Sequence, residues 1–203
     1  MNKSFNARAA HAIADPNLKK ALRQATGRFS ELRQKSFTSV PSPLALRARA
    51  REIRRRTFDE LDRHLETLLN NLERVGTQVH FATDAKAANE AVLKIARRHG
   101  AKSAVKSKSM LSEEIHLNDF LEKAGVAPVE TDLGEYIVQL AGETPSHLIA
   151  PAIHKTRLQV AELFAEKLGS EPTIDAEALT ALARAKLRDD FLDADLGISG
   201  VNF

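Results

Sequence analysis

The first third of the chain carries two helical patterns of apolar residues. In the first, the apolar positions lie three or four residues apart, which predicts an amphipathic helix over about residues 16–34. These positions are Leu18, Leu22, Ala25 and Phe29. Ser42 is a favourable N-cap and Pro43 suits the first helical position, so a longer second helix is predicted to begin there and to end at Gly76. The sequence therefore predicts a helical arm over residues 1–75.

From residue 77 short apolar segments alternate with helical ones. Strands are predicted at 77–82, 102–106, 126–131 and 147–150. Helices are predicted from Asp84 to Gly100, from the second strand to about Ala124, over 133–141, over 154–169, and from Asp175 to Phe191. This alternation favours parallel strands joined by crossovers. The predicted fold class is α/β, with an open, mainly parallel sheet and flanking helices over residues 76–203, preceded by N-terminal helices.

The last seven residues, GISGVNF at 197–203, predict a turn that enters a further strand. An apolar strand edge at the end of a chain is unusual because it invites aggregation. We therefore expect the chain to be the N-terminal portion of a longer protein, with an incomplete α/β domain.

Composition narrows the possible chemistry. The chain has no cysteine, which excludes disulfides, thiolate catalysis and thiolate-bound iron or zinc within these 203 residues. No apolar run approaches the roughly 20 residues that cross a bilayer. The N-terminus lacks the apolar core of a signal peptide, so a cytoplasmic location is predicted.

Charge is distributed unevenly along the chain. Residues 1–60 contain 14 Lys and Arg against 5 Asp and Glu, a net charge of +9, whereas residues 61–203 have a net charge of −6. The basic arm either docks on an acidic partner or polyanion, or is a solvated helix against its own acidic domain. We favour the second interpretation and expect no nucleic-acid partner, because no aromatic residues interleave with the arginines.

The segment Lys106-Ser107-Lys108-Ser109 is predicted to join a strand to a helix N-terminus. Free backbone N–H groups, hydroxyls and two ammonium groups can converge there on an anion such as a phosphate or carboxylate. Equally, Ser109 is only an N-cap and the lysines are solvated. The residues leave both interpretations open.

Acidic residues follow at two predicted helix starts. Glu113 and Glu114 favour the helix dipole, and alternatively one of them acts as a general base or pairs with Lys106 or Lys108. Asp132 follows the third predicted strand and is either a site residue or an N-cap. As a cap it would form a capping box with Glu135.

Histidines bracket the predicted fourth strand. His147 and His154 do not match a usual zinc spacing. His154 is predicted at the carboxyl end of that strand and is the better site candidate. His147 and His116 are predicted to be hydrogen-bonded structural residues.

Several of these motifs, in the same order, resemble the lactate utilization protein B family, whose members contain a LUD domain. The resemblance rests on KSKSM followed by EE and LN, ETDLGEYIVQL, PSHLIAPAIHK and LRDDFLDADLGISGVNF. It runs from the arginine-rich helix to the last residue. Its motif positions, which are our candidate ligand-binding residues, are Lys106, Ser107, Lys108, Ser109, Glu113, Glu114, Asp132, Gly134, Glu135 and His154.

The resemblance implies a fold of the NagB/RpiA/coenzyme A transferase class and a role in oxidising L-lactate to pyruvate together with other lactate-utilization subunits. It also implies [4Fe–4S] clusters that cysteines hold in a later, ferredoxin-like segment. Without cysteine this chain holds no such cluster, so we expect no cofactor in it and no activity from it alone. The alternatives are a coenzyme A- or nucleotide-binding enzyme, which fold analogy supports weakly, and a module that docks subunits.

Overall fold

A computed structural model describes residues 4–147 and 150–200. No helix among them is both long enough and apolar enough to span a bilayer. In chain order the elements are α1 (Phe5–Ala14), α2 (Pro16–Ser39), α3 (Pro43–Asp59), α4 (Leu61–Arg74), α5 (Ala85–Arg98), β1 (Ser103–Lys106), α6 (Met110–Glu114), α7 (Leu117–Lys123), β2 (Ala127–Glu130), α8 (Leu133–Ala141), α9 (Arg157–Leu168), α10 (Ala176–Asp193) and β3 (Leu196–Ile198).

The strands form a small open parallel sheet in the order β2–β1–β3. Lys106, the last residue of β1, stands beside Glu130 in β2 and beside Ile198 in β3. The predicted α/β class, with a parallel sheet, flanking helices and preceding N-terminal helices, is confirmed. The carboxyl ends of all three strands consequently lie at one edge of the sheet.

Apolar side chains cover the sheet on both faces. One buried cluster joins α5, β1 and α7 around Ala96, Ala104 and Leu121. The other joins α8, α9 and α10 around Phe164, and Val129 of β2 packs against it. Val129 points away from the face that carries its neighbours 128 and 130, because successive strand residues alternate. Phe164 is fully buried, so this second cluster is a true core.

The chain divides into two compact units, Thr26–Ala82 and Met1–Ala25 with Thr83–Phe203. The sheet and both apolar clusters belong to the second of these. In the first, neither α3 nor α4 contains a buried residue. The predicted division at residues 75 and 76 stays a prediction.

Two details of the helical arm differ from expectation. Ser42 is the N-cap residue of α3 and Pro43 begins the helix, as predicted, but Ser42 has a left-handed backbone (φ 52°) and its hydroxyl makes no capping hydrogen bond. The single long helix is also interrupted, because Glu60 leaves the helical conformation at φ −120° and ψ 25°. Apolar spacing continues across such a one-residue break, so the pattern cannot reveal it.

The first predicted strand, 77–82, is wrong. None of its residues is buried, and Phe81 is 81% exposed. Alternation makes a strand only where a neighbouring strand supplies backbone partners. Part of the predicted strand at 147–150, residues 148 and 149, lies outside the described residues, and His147 and Ala150 on either side belong to no strand.

The predicted helix after β1 is split into α6 and α7. His116 takes a left-handed conformation (φ 53°) at the break. The side-chain amide of Asn89, from α5, donates to the carbonyl oxygen of Ile115 at 2.8 Å. That long-range bond satisfies a backbone group released by the break, and helical spacing does not encode it.

Capping residues predicted the helix starts more accurately than apolar alternation predicted the strands. The carboxylates of Asp84 and Asp175 each accept a hydrogen bond at 2.8 Å from the backbone of the third helical residue, at the starts of α5 and α10. Thr156 and Gln159 form a capping box at α9, which ends at Gly169 with φ 66°. The predicted helix 133–141 is confirmed residue for residue as α8.

Where a turn into a terminal strand was predicted, Leu196–Ile198 already form the strand β3. Asp195 fastens its start to β1: its Oδ2 accepts bonds from the Lys102 and Ser103 amides at 2.8 and 3.0 Å. Beyond the strand, Gly200 lies so close to Ser109 that a Cβ at position 200 would overlap the Ser109 side chain. Residues 201–203 of the predicted segment lie outside the described residues.

Candidate functional site

A completely buried lysine lies at the carboxyl end of β1. The Lys106 Nζ lies 2.7 Å from Glu130 Oε1 and 2.8 Å from Glu113 Oε1. It also donates to Ser112 Oγ at 2.9 Å. The predicted pairing of Lys106 with Glu113 is confirmed, and the alternative of a solvated lysine is wrong for this residue. The three donors of the ammonium group therefore each have a partner, which a buried charge requires.

Glu130, which the sequence analysis missed, is the second partner and is only 3% exposed. Because it stands beside Lys106 in a parallel register, the two side chains leave the sheet on the same face. The sequence did contain a signal. Val126, Pro128 and Glu130 alternate as the buried residues of that segment, so the pattern carries a charge onto the buried face.

Burial shapes the protonation of this pair. It raises the pKa of Glu130 to about 7, although the Lys106 ammonium and the Asn118 amide pull in the other direction. Asn118 Nδ2 donates to Glu130 Oε1 at 2.6 Å. Burial also opposes the charged form of Lys106, but its bonds to Glu113 and Glu130 outweigh this effect and raise the Lys106 pKa. Glu130 can thus take up or release a proton near neutral pH.

A second ion pair lies beside the first. Lys108 Nζ is 3.0 Å from Glu135 Oε1, and the Glu135 side chain is almost fully buried. The predicted cap by Asp132 is confirmed, since its Oδ1 accepts from the backbone of Gly134 and Glu135 at 3.1 and 3.3 Å. The Glu135 carboxylate pairs with Lys108 rather than closing a capping box.

The remaining predicted residues are spread around this cluster. Ser109 caps α6 by accepting from the Ser112 amide at 3.2 Å, and Ser107 Oγ donates to Ser199 Oγ at 3.1 Å. Glu114 is exposed. Gly134 packs closely on the Pro151 ring, and a Cβ at position 134 would lie 3.2 Å from it. The anion site at residues 106–109 stays a prediction.

His154 belongs to a separate group. Its Nε2 is 2.7 Å from Glu143 Oε2, and its Nδ1 is 2.6 Å from Ser146 Oγ. Lys155 also contacts Glu143, and these bonds to Lys155 and His154 lower the Glu143 pKa despite partial burial. His154 lies in the turn before α9, not at a strand end. Within the described residues no three His, Cys, Asp or Glu side chains converge as a metal site.

A cavity of about 350 Å³ adjoins the buried cluster, lined by α6, α7, β2, α8 and residues 142–145. Glu113, Asn118, Glu130 and Glu135 all contribute to its wall. Three buried acceptors in this wall have no hydrogen-bond partner among the described residues, namely Asn118 Oδ1, Glu130 Oε2 and Glu135 Oε2. The arrangement therefore offers acceptors and a carboxyl group that titrates near neutral pH.

Comparison with known proteins places this site in a family. The LUD domain matches residues 65–203, which includes every strand and every residue of the cavity wall. The chain belongs to the LUD-domain family. Two of the LUD domain's ion pairs, Lys106–Glu113 and Lys108–Glu135, join motif positions that the resemblance had indicated. No solved structure gave a significant match.

Curated relatives match the LUD domain and the arm together. Lactate utilization protein B of Oceanobacillus iheyensis is 42% identical over 200 residues, 98% of this chain. That of Bacillus thuringiensis (strain Al Hakam) is 39% identical over 99% of the chain. The uncharacterized electron transport protein YkgF of Escherichia coli (strain K12) is 41% identical over the whole chain. The chain spans 42% of the length of each of these relatives.

Proposed function

We propose that this chain is the LUD-domain part of a lactate-utilization protein that takes part in electron transport during the oxidation of L-lactate to pyruvate. The observation that carries the proposal is the similarity of about 40% along the whole chain to proteins named lactate utilization protein B. The name of the Escherichia coli relative, an electron transport protein, supports the redox role.

In this proposal iron–sulfur clusters carry the electrons, and residues outside these 203 residues ligate them. Clusters of this kind are held by Cys thiolates, and the sequence contains no cysteine. The cavity wall offers carboxylates, amides, two hydroxyls and the imidazole of His116 but no thiolate, so it does not suit iron–sulfur ligation either. We therefore assign no electron-transfer step to the residues described above.

Growth on L-lactate tests the proposed role in the cell. A bacterium whose own lactate utilization protein B gene has been deleted is complemented with the gene that contains this chain. We expect growth on L-lactate as sole carbon source to be restored, and growth on glucose to be unchanged. Normal expression of the protein without restored growth would contradict the proposal.

The electron-transport part has an independent test. The gene product that contains this chain is purified without oxygen and examined by electron paramagnetic resonance after reduction with dithionite. We expect the signal of a reduced [4Fe–4S] cluster. A purified, folded protein without any iron-dependent signal would exclude the role in electron transport while leaving the role in lactate utilization open.

We further propose that the other lactate-utilization proteins are its partners and that the arginine-rich helix α3 contacts them. Its exposed surface combines apolar side chains such as Leu46 and Ile53 with six arginines. Replacement of the six arginines of α3 by glutamine should abolish co-purification of the partner proteins while the circular dichroism spectrum stays unchanged. Unchanged co-purification would exclude this contact.

A further inference from the structure

The acidic cavity has more hydrogen-bond acceptors than the described protein residues can satisfy. Glu130 and Glu135 are each more than nine-tenths buried and line the cavity. In each carboxylate a lysine contacts Oε1, and Oε2 has no hydrogen-bond partner in the described part of the chain. Leaving a buried acceptor of this kind unsatisfied is costly, so such atoms usually mark a missing donor.

The charge of the cavity wall indicates that the missing donor group is positively charged. Its wall carries six carboxylates and, among the described residues, no lysine or arginine. Even when the lysines paired with Glu113, Glu130, Glu135 and Glu143 are counted, more negative than positive groups remain. The unbalanced carboxylates include Asp119 and the exposed Glu122. Such a field attracts cations and repels carboxylates such as L-lactate.

The residues that carry the unpartnered oxygens belong to the wall of one cavity. Glu130 and Glu135 both line it, and the Asn118 side-chain amide donates to Glu130 Oε1 at 2.6 Å. The side-chain amide oxygen of Asn118 adds a third free acceptor in the same wall. Several N–H groups on one cationic centre can satisfy acceptors arranged in this way, because ammonium and guanidinium groups carry three to five donors and no acceptor.

A metal ion is the less suitable occupant. The described residues contain no group of three His, Cys, Asp or Glu side chains placed to hold one. The volume of about 350 Å³ is instead at the lower end of the range typical for small organic ligands.

We propose that this cavity binds a small organic cation that carries an ammonium or guanidinium group, with Glu130 and Glu135 as its charged acceptors and Asn118 as a neutral one. The cation would replace the missing donors at the Oε2 atoms. Charge-assisted bonds of this kind are the stronger class of hydrogen bond, and they discriminate against neutral and anionic molecules.

The proposal is tested by calorimetric titration of the 203-residue chain with four probes at equal ionic strength. Agmatine carries both a guanidinium and an ammonium group, and n-butylamine carries an ammonium group alone. 1-Butanol keeps the alkyl chain and a donor without the charge, and L-lactate is the anion. We expect saturable binding of at least one amine with a Kd below about 1 mM. Butanol and L-lactate should bind at least about tenfold more weakly.

Three substitutions locate the binding site. Glu135→Gln should weaken the better amine by about tenfold or more, because a charged acceptor becomes a neutral amide. Glu122→Gln removes an exposed carboxylate of the cavity wall and should weaken it by about two- to fivefold. Glu66→Gln is the matched control on α4, outside the cavity, and should have no effect.

Several results would overturn the proposal. They are the absence of saturable binding of both amines, tighter binding of L-lactate than of the amines, or amine binding that neither Glu135→Gln nor Glu122→Gln weakens. If Glu135→Gln does not fold, as judged by circular dichroism, Glu122→Gln alone decides. The titration involves no lactate oxidation, so its outcome is separate from that of the proposed function.

Discussion

Lys106 and Glu130 form a buried ion pair because the register between β1 and β2 places them side by side. Removing two charges from water costs several kcal/mol per ion, and their attraction offsets this only when the remaining hydrogen bonds are made. Lys106 meets that condition with three partners. Glu130 does not, because its Oε2 has no hydrogen-bond partner among residues 4–147 and 150–200. Lys106 therefore holds the cluster together, and Glu130 is the residue of the cluster whose protonation changes near neutral pH.

Removal of the lysine should be strongly destabilising. Lys106→Met leaves Glu130 and Glu113 without their shared cation, so we expect the free energy of unfolding at pH 8 to fall by about 3–5 kcal/mol. Urea denaturation followed by circular dichroism measures the change. Lys102→Met, at an exposed position before the same strand, is the matched control and should lie within about 0.5 kcal/mol of the wild type. Recovery of part of the loss in Lys106→Met/Glu130→Gln would identify the unpaired charge as the cause, and no recovery would contradict it.

The protonation of Glu130 should be visible in the pH dependence of stability. Burial raises its pKa from 4.5 to about 7, so the folded state binds a proton more tightly than the unfolded state. The contribution of this group to stability is therefore greatest below pH 4.5 and is lost as the pH rises to about 7.

Glu130→Gln removes this contribution. Between pH 5 and pH 8 we expect the stability of the variant to rise relative to the wild type by up to about 3 kcal/mol, since one pKa unit corresponds to about 1.4 kcal/mol. Urea denaturation at pH 5, 6, 7 and 8 provides the comparison. Glu114→Gln, at an exposed position nearby, should run parallel to the wild type. A parallel profile for Glu130→Gln as well would show that Glu130 titrates normally.

At the scale of elements, the segments that sequence could predict are those with local determinants. The caps at Asp84 and Asp175 and the whole of α8 depend on residues within one or two helical turns, and they were predicted correctly. The strand at 77–82 was not, because a strand needs a partner elsewhere in the chain. The site divides in the same way. Lys106 and Lys108 follow from a strand end, whereas Glu130 needs the register between strands.

One side chain reinforces the backbone pairing that attaches β3 to β1. Asp195 accepts two backbone bonds and a third, at 3.0 Å, from Ser103 Oγ, and these bonds lower its pKa. Asp195→Asn should therefore lower the melting temperature at pH 7, and the difference from the wild type should disappear as the pH falls through the lowered pKa.

A nearby aspartate provides the control for this experiment. Asp193, the last residue of α10, lies at the negative end of the helix dipole, so Asp193→Asn should leave the melting temperature unchanged or raise it slightly. Differential scanning calorimetry at pH 7 and pH 3 compares the two variants. An equal effect of both substitutions would show that Asp195 does not fasten the strand.

At the scale of the whole molecule, the two compact units differ in how much apolar surface they bury. The unit that contains the sheet has two buried apolar clusters, whereas in the unit Thr26–Ala82 neither α3 nor α4 buries a single residue. Apolar side chains that remain in contact with solvent contribute little to stability. The helices α3 and α4 should therefore open locally at a lower free-energy cost than the unit that contains the sheet.

Hydrogen exchange should resolve this difference segment by segment. We expect the backbone amides of β1, the central strand, to exchange more slowly by orders of magnitude than those of α3 and α4. Mass spectrometry of peptic fragments after exchange at neutral pH measures the rates. Similar protection of α3 and β1 would show that α3 is as stable as the strand although it contains no buried residue.

The order β2–β1–β3 also has a consequence for biosynthesis. The residues that join β1 to β3 lie about 90 positions apart, as in the bond between Ser103 and Asp195. While the chain is being synthesised, β1 can pair with β2 early, but its other edge stays open until residues 196–198 have been added. An open strand edge on a nascent chain is a site for wrong pairing with other chains. The strand β1 therefore keeps one open edge from its own synthesis until residues 196–198 follow, and in this interval it is exposed to wrong pairing with other chains.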